Sequence, residues 1–184
     1  MAKTLFLVRH GKAQGQEPEA PLTPDGLAQA TTLADLLEKA RIQQIVASPF
    51  TRAVQSIEPL AKRLGLGIKI DERLIEANLS TINYPDWLDR LRTTFSDFEL
   101  AFEGGESSRT ASERGIAAIR DVLITSENPT VVVTHGRLMT LILKHFDSKY
   151  GFDEWKTLTA PDVFELTLVD SQTTIRRIWN SESP

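Results

Sequence analysis

The sequence predicts a layered α/β protein with a largely parallel central sheet. Short apolar runs that are typical of buried strands alternate along the chain with longer stretches whose apolar residues recur at helical spacing. Several helical stretches also carry their own start and stop signals, a capping residue followed by proline or a final glycine. Polar clusters directly follow three of the predicted strands, where α/β sheets collect functional residues.

In the first third of the chain, the predicted elements alternate regularly. The apolar run 4–8 predicts a buried strand that ends at Arg9. Thr23 as N-cap and Pro24 at the first helical position predict the start of a helix. Residues 45–47 predict a second strand, Ser48-Pro49 repeats the helix start signal, and Gly65 ends the helix that follows.

In the rest of the chain, predicted strands and helices continue to alternate, apart from one segment in which the pattern is less regular. Residues 68–70 predict a weak third strand, and within 73–106 only 85–95 has a helical pattern. Thr110 and Glu113 have the spacing of a capping box and predict the start of the next helix. The remaining predicted elements are a strand at 131–133, a helix that ends at Phe146, and a closing hairpin of strands 163–169 and 174–178.

Length and composition exclude several classes of function. The chain has 184 residues, which favours a single domain over 1–184. It has 21 Lys and Arg against 25 Asp and Glu, and a net charge of −4 argues against nucleic-acid or anionic-membrane partners. The absence of cysteine excludes disulfides, thiolate nucleophiles and Cys-ligated metals. No apolar run approaches the ~20 residues of a membrane span, so we expect a soluble, cytoplasmic protein.

Two of the three histidines are candidates for chemistry. A single histidine is usually a core residue, and His145 fits that interpretation or simple exposure near a helix end. His10 and His135 instead each follow an apolar run and precede a glycine, which allows a close backbone approach to a ligand. Arg9 and Arg52 add permanent positive charge at the same sheet edge. Two converging guanidinium groups suit a phosphate or a carboxylate.

Four motifs in order resemble those of the histidine phosphatase superfamily, also called phosphoglycerate-mutase-like. They are LVRHG at 7–11, LTPDG at 22–26, SPFTRA at 48–53 and VTHG at 133–136. Arg-His-Gly alone is a weak signal, but four motifs in the family's order at plausible spacing are specific. The resemblance implies a three-layer α/β/α sandwich with a mostly parallel central sheet.

The resemblance also implies a role for each residue of the cluster. His10 would be the nucleophile that forms a phosphohistidine, and it has to be uncharged to attack phosphorus. Arg9, Arg52, His135 and Gly136 would bind the phosphoryl oxygens and stabilise their charge in the transition state. These side chains supply the positive charge that Mg²⁺ supplies in other phosphoryl-transfer enzymes. No metal and no other cofactor is therefore expected.

Glu76 is the candidate general acid and base. It ends a Leu74-Ile75-Glu76 run that matches the family's Leu-x-Glu pattern after the third strand. One carboxyl group can protonate the leaving oxygen and later deprotonate the attacking water. The chain departs from many relatives at 77–80, and also at Lys12-Ala13, where Lys12 could bring a further charge to the phosphate pocket.

The favoured function is metal-independent hydrolysis of phosphomonoesters, with inorganic phosphate as product. A phosphoglycerate-type mutase is the main alternative, and segment 73–106 is the only lid candidate for the shielding that transfer needs. A phosphohistidine-protein phosphatase and a non-catalytic phospholigand-binding module also stay open. The substrate would be a small phosphorylated molecule or a phosphoprotein, and neither its identity nor the oligomeric state follows from the sequence. Most of the aromatic side chains at 84–98 are expected in the core.

Overall fold

One six-stranded sheet is present in the computed structural model, which describes residues 2–125, 127–170 and 172–180. Its strands lie in the order β3-β2-β4-β1-β5-β6. The first four along the chain pair in parallel, whereas β5 is antiparallel to β1 and β6 is antiparallel to β5. The strands are β1 Lys3–Arg9, β2 Gln44–Ala47, β3 Ile68–Ile70, β4 Thr130–Thr134, β5 Asp162–Val169 and β6 Gln172–Arg177.

Helices cover both faces of the sheet and confirm the predicted three-layer α/β/α architecture. They are α1 Pro24–Leu37, α2 Thr51–Leu64, α3 Trp87–Ser96, α4 Ser108–Ile124, α5 Gly136–Phe146 and α6 Phe152–Thr157, with short 3₁₀ turns at Glu38–Ala40 and Glu72–Leu74. Leu5 and Leu7 of β1 pack on the side of α3 to α6, and Phe6 and Val8 on the side of α1 and α2. A strand buried on both faces is continuously apolar, as the sequence shows. None of the described helices is long and apolar enough to cross a membrane.

The helix boundaries confirm some of the sequence signals and correct others. Thr23 caps α1 by accepting a hydrogen bond from the Gly26 amide, and Gly65 ends α2 in the left-handed conformation at φ 65°. However, α2 begins at Thr51 and not at Pro49, and its N-cap residue is Phe50. The Ser48 hydroxyl accepts a hydrogen bond from the Phe50 amide at 3.3 Å and also contacts His135.

Two further helices differ from their predictions. The α4 helix begins at Ser108 and is capped by Ser107, so Thr110 lies inside its first turn. The sequence pattern missed α6 because six residues are too few to display a helical period.

Strand order brings the polar residues that follow β1, β2 and β4 to one edge of the sheet. The central strand β4 lies between β1 and β2, and its register pairs Thr134 with Arg9 and Val133 with Ala47. The hydrogen-bond ladder continues one residue beyond each flanking strand, from the His10 amide to the Thr134 carbonyl and from the Ser48 amide to the Val133 carbonyl. The residues that follow β1, β2 and β4 therefore leave the sheet at nearly the same level.

Candidate active site

The His10 side chain has one defined tautomer. Its Nδ1 lies 2.7 Å from the Gly11 carbonyl oxygen. Because a carbonyl can only accept, Nδ1 carries the proton and Nε2 has a lone pair. That lone pair accepts a hydrogen bond from Nε of Arg52 at 3.2 Å. Nε2, the nitrogen that faces the arginine, is therefore the unprotonated one.

The surroundings of His10 keep its imidazole uncharged. Burial is the largest effect and lowers the pKa of His10 from 6.5 to about 3, with Arg52 and Arg9 acting in the same direction. The hydrogen bond to Gly11 opposes this shift. Burial therefore contributes more than either arginine to keeping His10 uncharged.

His135 is fully buried beside His10, and the centroids of the two rings are 5.0 Å apart. Its Nε2 lies 2.8 Å from the Ser48 hydroxyl, while its buried Nδ1 has no hydrogen-bond partner within the described parts of the chain. Burial, followed by the charges of His10 and Arg52, holds the pKa of His135 well below its usual value. Ser48 lies in the polar cluster that follows β2, and the sequence predicted a helix start there but no contact with His135.

Arg52 and Arg9 are the two cations nearest the histidines. Arg52 is only 1% exposed, and its Nη1 donates to the Glu17 carbonyl at 2.8 Å. Nη1 of Arg9 makes a weak contact with the Thr159 carbonyl at 3.3 Å, and its buried Nε has no partner among the described residues. A side chain at Gly136 would place its Cβ 3.2 Å from the Arg9 guanidinium carbon, so glycine allows the close approach.

Glu76 follows the 3₁₀ turn after β3, and backbone amides orient its carboxylate. Its two oxygens accept hydrogen bonds from the amides of Ala77 at 2.8 Å, Leu138 at 3.0 Å and Arg137 at 3.1 Å. The last two amides belong to the first turn of α5, the helix that begins directly after His135. A helix N-terminus attracts an anion. Hydrogen bonds thus hold Glu76 at the junction of β4 and α5, where His135 also lies.

Two arginines that sequence reasoning missed hold the chain on either side of this carboxylate. Arg114 donates to the Ile75 carbonyl at 2.9 Å and forms a bidentate ion pair with Glu106. Arg137 donates to the Ala77 carbonyl at 3.2 Å. The two contacts with backbone carbonyls join residues that are 39 and 60 positions apart, so no local pattern indicates them.

Four of the six predicted site residues line one cavity of about 850 Å³, whereas His10 and His135 are not among its lining residues. Arg9, Arg52, Glu76 and Gly136 line it, and His10 contacts Arg52 at that wall. Lys12 does not contribute as the sequence suggested, because its exposed ammonium pairs with Asp25 at 3.1 Å and lies outside the lining. Across the described ranges, no three acidic or histidine side chains are grouped closely enough to hold a metal ion.

Comparison with known proteins decides the family. The family model described as histidine phosphatase superfamily (branch 1) matches residues 5–180. The chain belongs to the histidine phosphatase superfamily. It is therefore an enzyme of the phosphatase and mutase type, and the resemblance drawn from the four motifs is confirmed.

Individual relatives of this histidine phosphatase include hydrolases and a mutase. It is 26% identical over 167 residues to a glucosyl-3-phosphoglycerate phosphatase of Mycolicibacterium vanbaalenii, covering 76% of this chain and 72% of the relative. It is 27% identical over 150 residues to a probable phosphoglycerate mutase of Escherichia fergusonii, covering 72% and 69%. A solved mycobacterial glucosyl-3-phosphoglycerate phosphatase superimposes with a TM-score of 0.79 at 24% identity, covering 99% of this chain and all of that one. These similarities support a histidine-phosphatase-type phosphatase.

Proposed function

We propose that this protein hydrolyses phosphomonoesters without a metal, through a phosphohistidine formed on Nε2 of His10. The observation that carries the proposal is the tautomer of His10, whose Nδ1 donates to Gly11 and whose Nε2 lone pair faces Arg52. A neutral imidazole nitrogen can attack phosphorus, and a protonated one cannot. Its low pKa means that the nucleophile is ready at neutral pH without an external base.

In the first step, Nε2 of His10 attacks phosphorus as the bond to the leaving oxygen breaks. The guanidinium groups of Arg9 and Arg52 neutralise charge on the phosphoryl oxygens. Buried Nδ1 of His135 and buried Nε of Arg9 both lack a protein partner among the described residues. If the Ser48 hydroxyl donates to Nε2 of His135, the proton on Nδ1 is free for a phosphoryl oxygen. These two nitrogens are the donors that a bound phosphate would satisfy.

Glu76 completes both halves of the reaction. Its carboxyl group gives a proton to the leaving alkoxide, and its carboxylate then takes one from the water that attacks the phosphohistidine. The bond between Nε2 and phosphorus breaks, and neutral His10 and inorganic phosphate are released. The proposal draws support from the cavity, which Glu76 shares with Arg9 and Arg52.

The test is hydrolysis of p-nitrophenyl phosphate in the presence of EDTA. We expect wild-type activity to survive the chelator and His10→Ala to abolish it. The matched control is His145→Ala, because His145 is exposed in the last turn of α5 and should leave turnover unchanged. Acid-labile, alkali-stable labelling of wild-type protein by a ³²P-labelled ester would identify the phosphohistidine. Full activity of His10→Ala would refute the proposal.

Phosphoryl transfer is the second candidate function, because one relative is a probable phosphoglycerate mutase. A mutase has to exclude water from its phosphorylated histidine until the substrate is rephosphorylated. Measuring phosphate release beside the interconversion of 2- and 3-phosphoglycerate separates the two reactions. Release without interconversion supports hydrolysis, whereas interconversion with little release supports transfer. Phosphate binding without either reaction would indicate a binding module.

A further inference from the structure

The cavity that Arg9 and Arg52 line also has an aromatic wall. We define this aromatic wall as Tyr84, Trp87 and Trp155, all of which line the cavity. Trp87 is 50% exposed, and its ring meets that of Trp155 nearly at right angles, with the centroids 6.4 Å apart. The prediction that most aromatics at 84–98 lie in the core holds for Phe95, which is buried, and for Phe98, which packs half-buried against the core, but not for Tyr84 and Trp87. A half-exposed indole in a concave site is a surface on which a ligand ring can pack.

The cavity has enough positive charge to neutralise one phosphoryl group and little more. Among the described residues that line it, the cations are Arg9, Arg52 and Arg137. Arg137 already donates to the carbonyls of Ala77 and Asn78, to the Glu106 carbonyl and to the Ser108 hydroxyl. Both Nη nitrogens of Arg137 are thereby used, and its Nε is buried without a partner among the described residues. Arg9 and Arg52 also donate to carbonyls through Nη1, but Nη2 of each makes no hydrogen bond within the described parts of the chain, so these two guanidinium groups can bind a ligand. A second anionic group on the substrate would find no cation of its own.

The cations closest to the aromatic wall along α3 are also committed. Nε of Arg90 donates to Asp86 at 2.9 Å, and its guanidinium lies 3.8 Å from the ring centroid of Tyr84. Arg92 pairs with Asp89 at 3.3 Å. Both positive charges are thus partly neutralised by carboxylates on the same helix, and neither side chain lines the cavity.

We propose that the leaving group of the substrate is a neutral alcohol that carries a ring, whose apolar face packs against Trp87 and Trp155. This inference rests on the proposed phosphatase function. A cavity of about 850 Å³ leaves room for such a ring, and Asn83 in the same lining offers hydrogen bonds to its hydroxyl groups. A carboxylate or second phosphate would have to lose its hydration beside the aromatic wall without gaining a charged partner. Esters with a second anionic group are therefore poor substrates.

The experiment compares kcat/KM for matched monoesters in wild-type protein. Phenyl phosphate, a hexose 6-phosphate and a nucleoside 5′-monophosphate represent aryl, sugar and nucleoside rings. Glycerol 3-phosphate is the neutral ester without a ring, and 3-phosphoglycerate and a hexose bisphosphate carry a second anion. We expect kcat/KM for at least one ring ester to exceed kcat/KM for 3-phosphoglycerate and for the hexose bisphosphate by about tenfold. The free-energy cost of burying an unpaired charge accounts for such a factor. Equal or better turnover of 3-phosphoglycerate or the bisphosphate would overturn the proposal.

Two variants test the aromatic wall. Trp87→Ala should raise KM for the preferred ring ester about five- to tenfold, the range expected for a lost aromatic contact, and leave glycerol 3-phosphate nearly unchanged. Leu88→Ala is the control, since Leu88 is exposed on the same helix and does not line the cavity. An equal loss for both esters would contradict a role in ring recognition.

A binding measurement keeps this proposal separate from the proposed reaction. Calorimetric titration of His10→Ala with the same esters measures recognition without turnover. Tighter binding of a ring ester than of 3-phosphoglycerate supports the inference even if hydrolysis is absent, and the reverse order refutes it even if hydrolysis is present.

Discussion

Replacing His10 with asparagine is expected to make the native state more resistant to acid. Burial lowers the pKa of His10 to about 3, whereas in the unfolded chain it returns to about 6.5. Between these two pH values, the unfolded chain binds a proton that the native protein does not. The stability that His10 contributes is complete above pH 6.5, and it is lost as the pH falls towards 3. The slope is about 1.4 kcal/mol per pH unit, and the full window corresponds to roughly 5 kcal/mol at most.

The assay is urea unfolding of both proteins at several pH values from 7.5 to 4.5. Asparagine loses the hydrogen bonds of the imidazole, which changes the free energy of unfolding by an amount that does not depend on pH. Relative to wild type, however, the variant should gain roughly 2 to 3 kcal/mol between pH 6.5 and pH 4.5. His135 titrates in both proteins, so its contribution largely cancels.

His145→Asn is the control for this measurement. Burial and Arg120 also lower the pKa of His145, but this side chain is exposed, so its variant should show a smaller change of the same sign. A difference between wild type and His10→Asn that is constant across the pH range would refute the reasoning, because it would mean that His10 titrates alike in both states.

Three further substitutions test the site. Ser48→Ala removes the hydroxyl beside Nε2 of His135 and should lower kcat about tenfold while the melting temperature changes little; unchanged kcat would contradict this role. Gly136→Ala puts a methyl group against the Arg9 guanidinium and should lower kcat/KM for any phosphomonoester about tenfold or more, a loss that steady-state kinetics would detect. Glu76→Gln should lower kcat about 10²- to 10⁴-fold, and more for alkyl esters than for p-nitrophenyl phosphate, whose leaving group needs no proton; equal losses would argue against an acid role.

The sequence signals that predicted structure correctly are those whose physical cause lies within a few residues. Thr23 caps α1 because its hydroxyl reaches an amide three positions along the chain. Gly65 ends α2 because only a residue without a side chain adopts its conformation freely. The run 5–8 predicts a buried strand because each face of it meets a helix layer. The predicted start of α2 is two residues too early, although the Ser48 hydroxyl does accept a hydrogen bond from the Phe50 amide.

By itself, the sequence determined the class of fold, the family, and the residues that leave the ends of the strands. It could not determine which of these side chains touch, because that depends on strand order. His135 and Ser48 are 87 positions apart and meet only because β4 lies directly beside β2. The amides that hold Glu76 lie 61 and 62 positions away, at the start of α5. The free energy of such contacts is realised only after the sheet has formed, so tertiary structure alone decided the contact between Arg52 and His10, the partner of His135 and the aromatic wall.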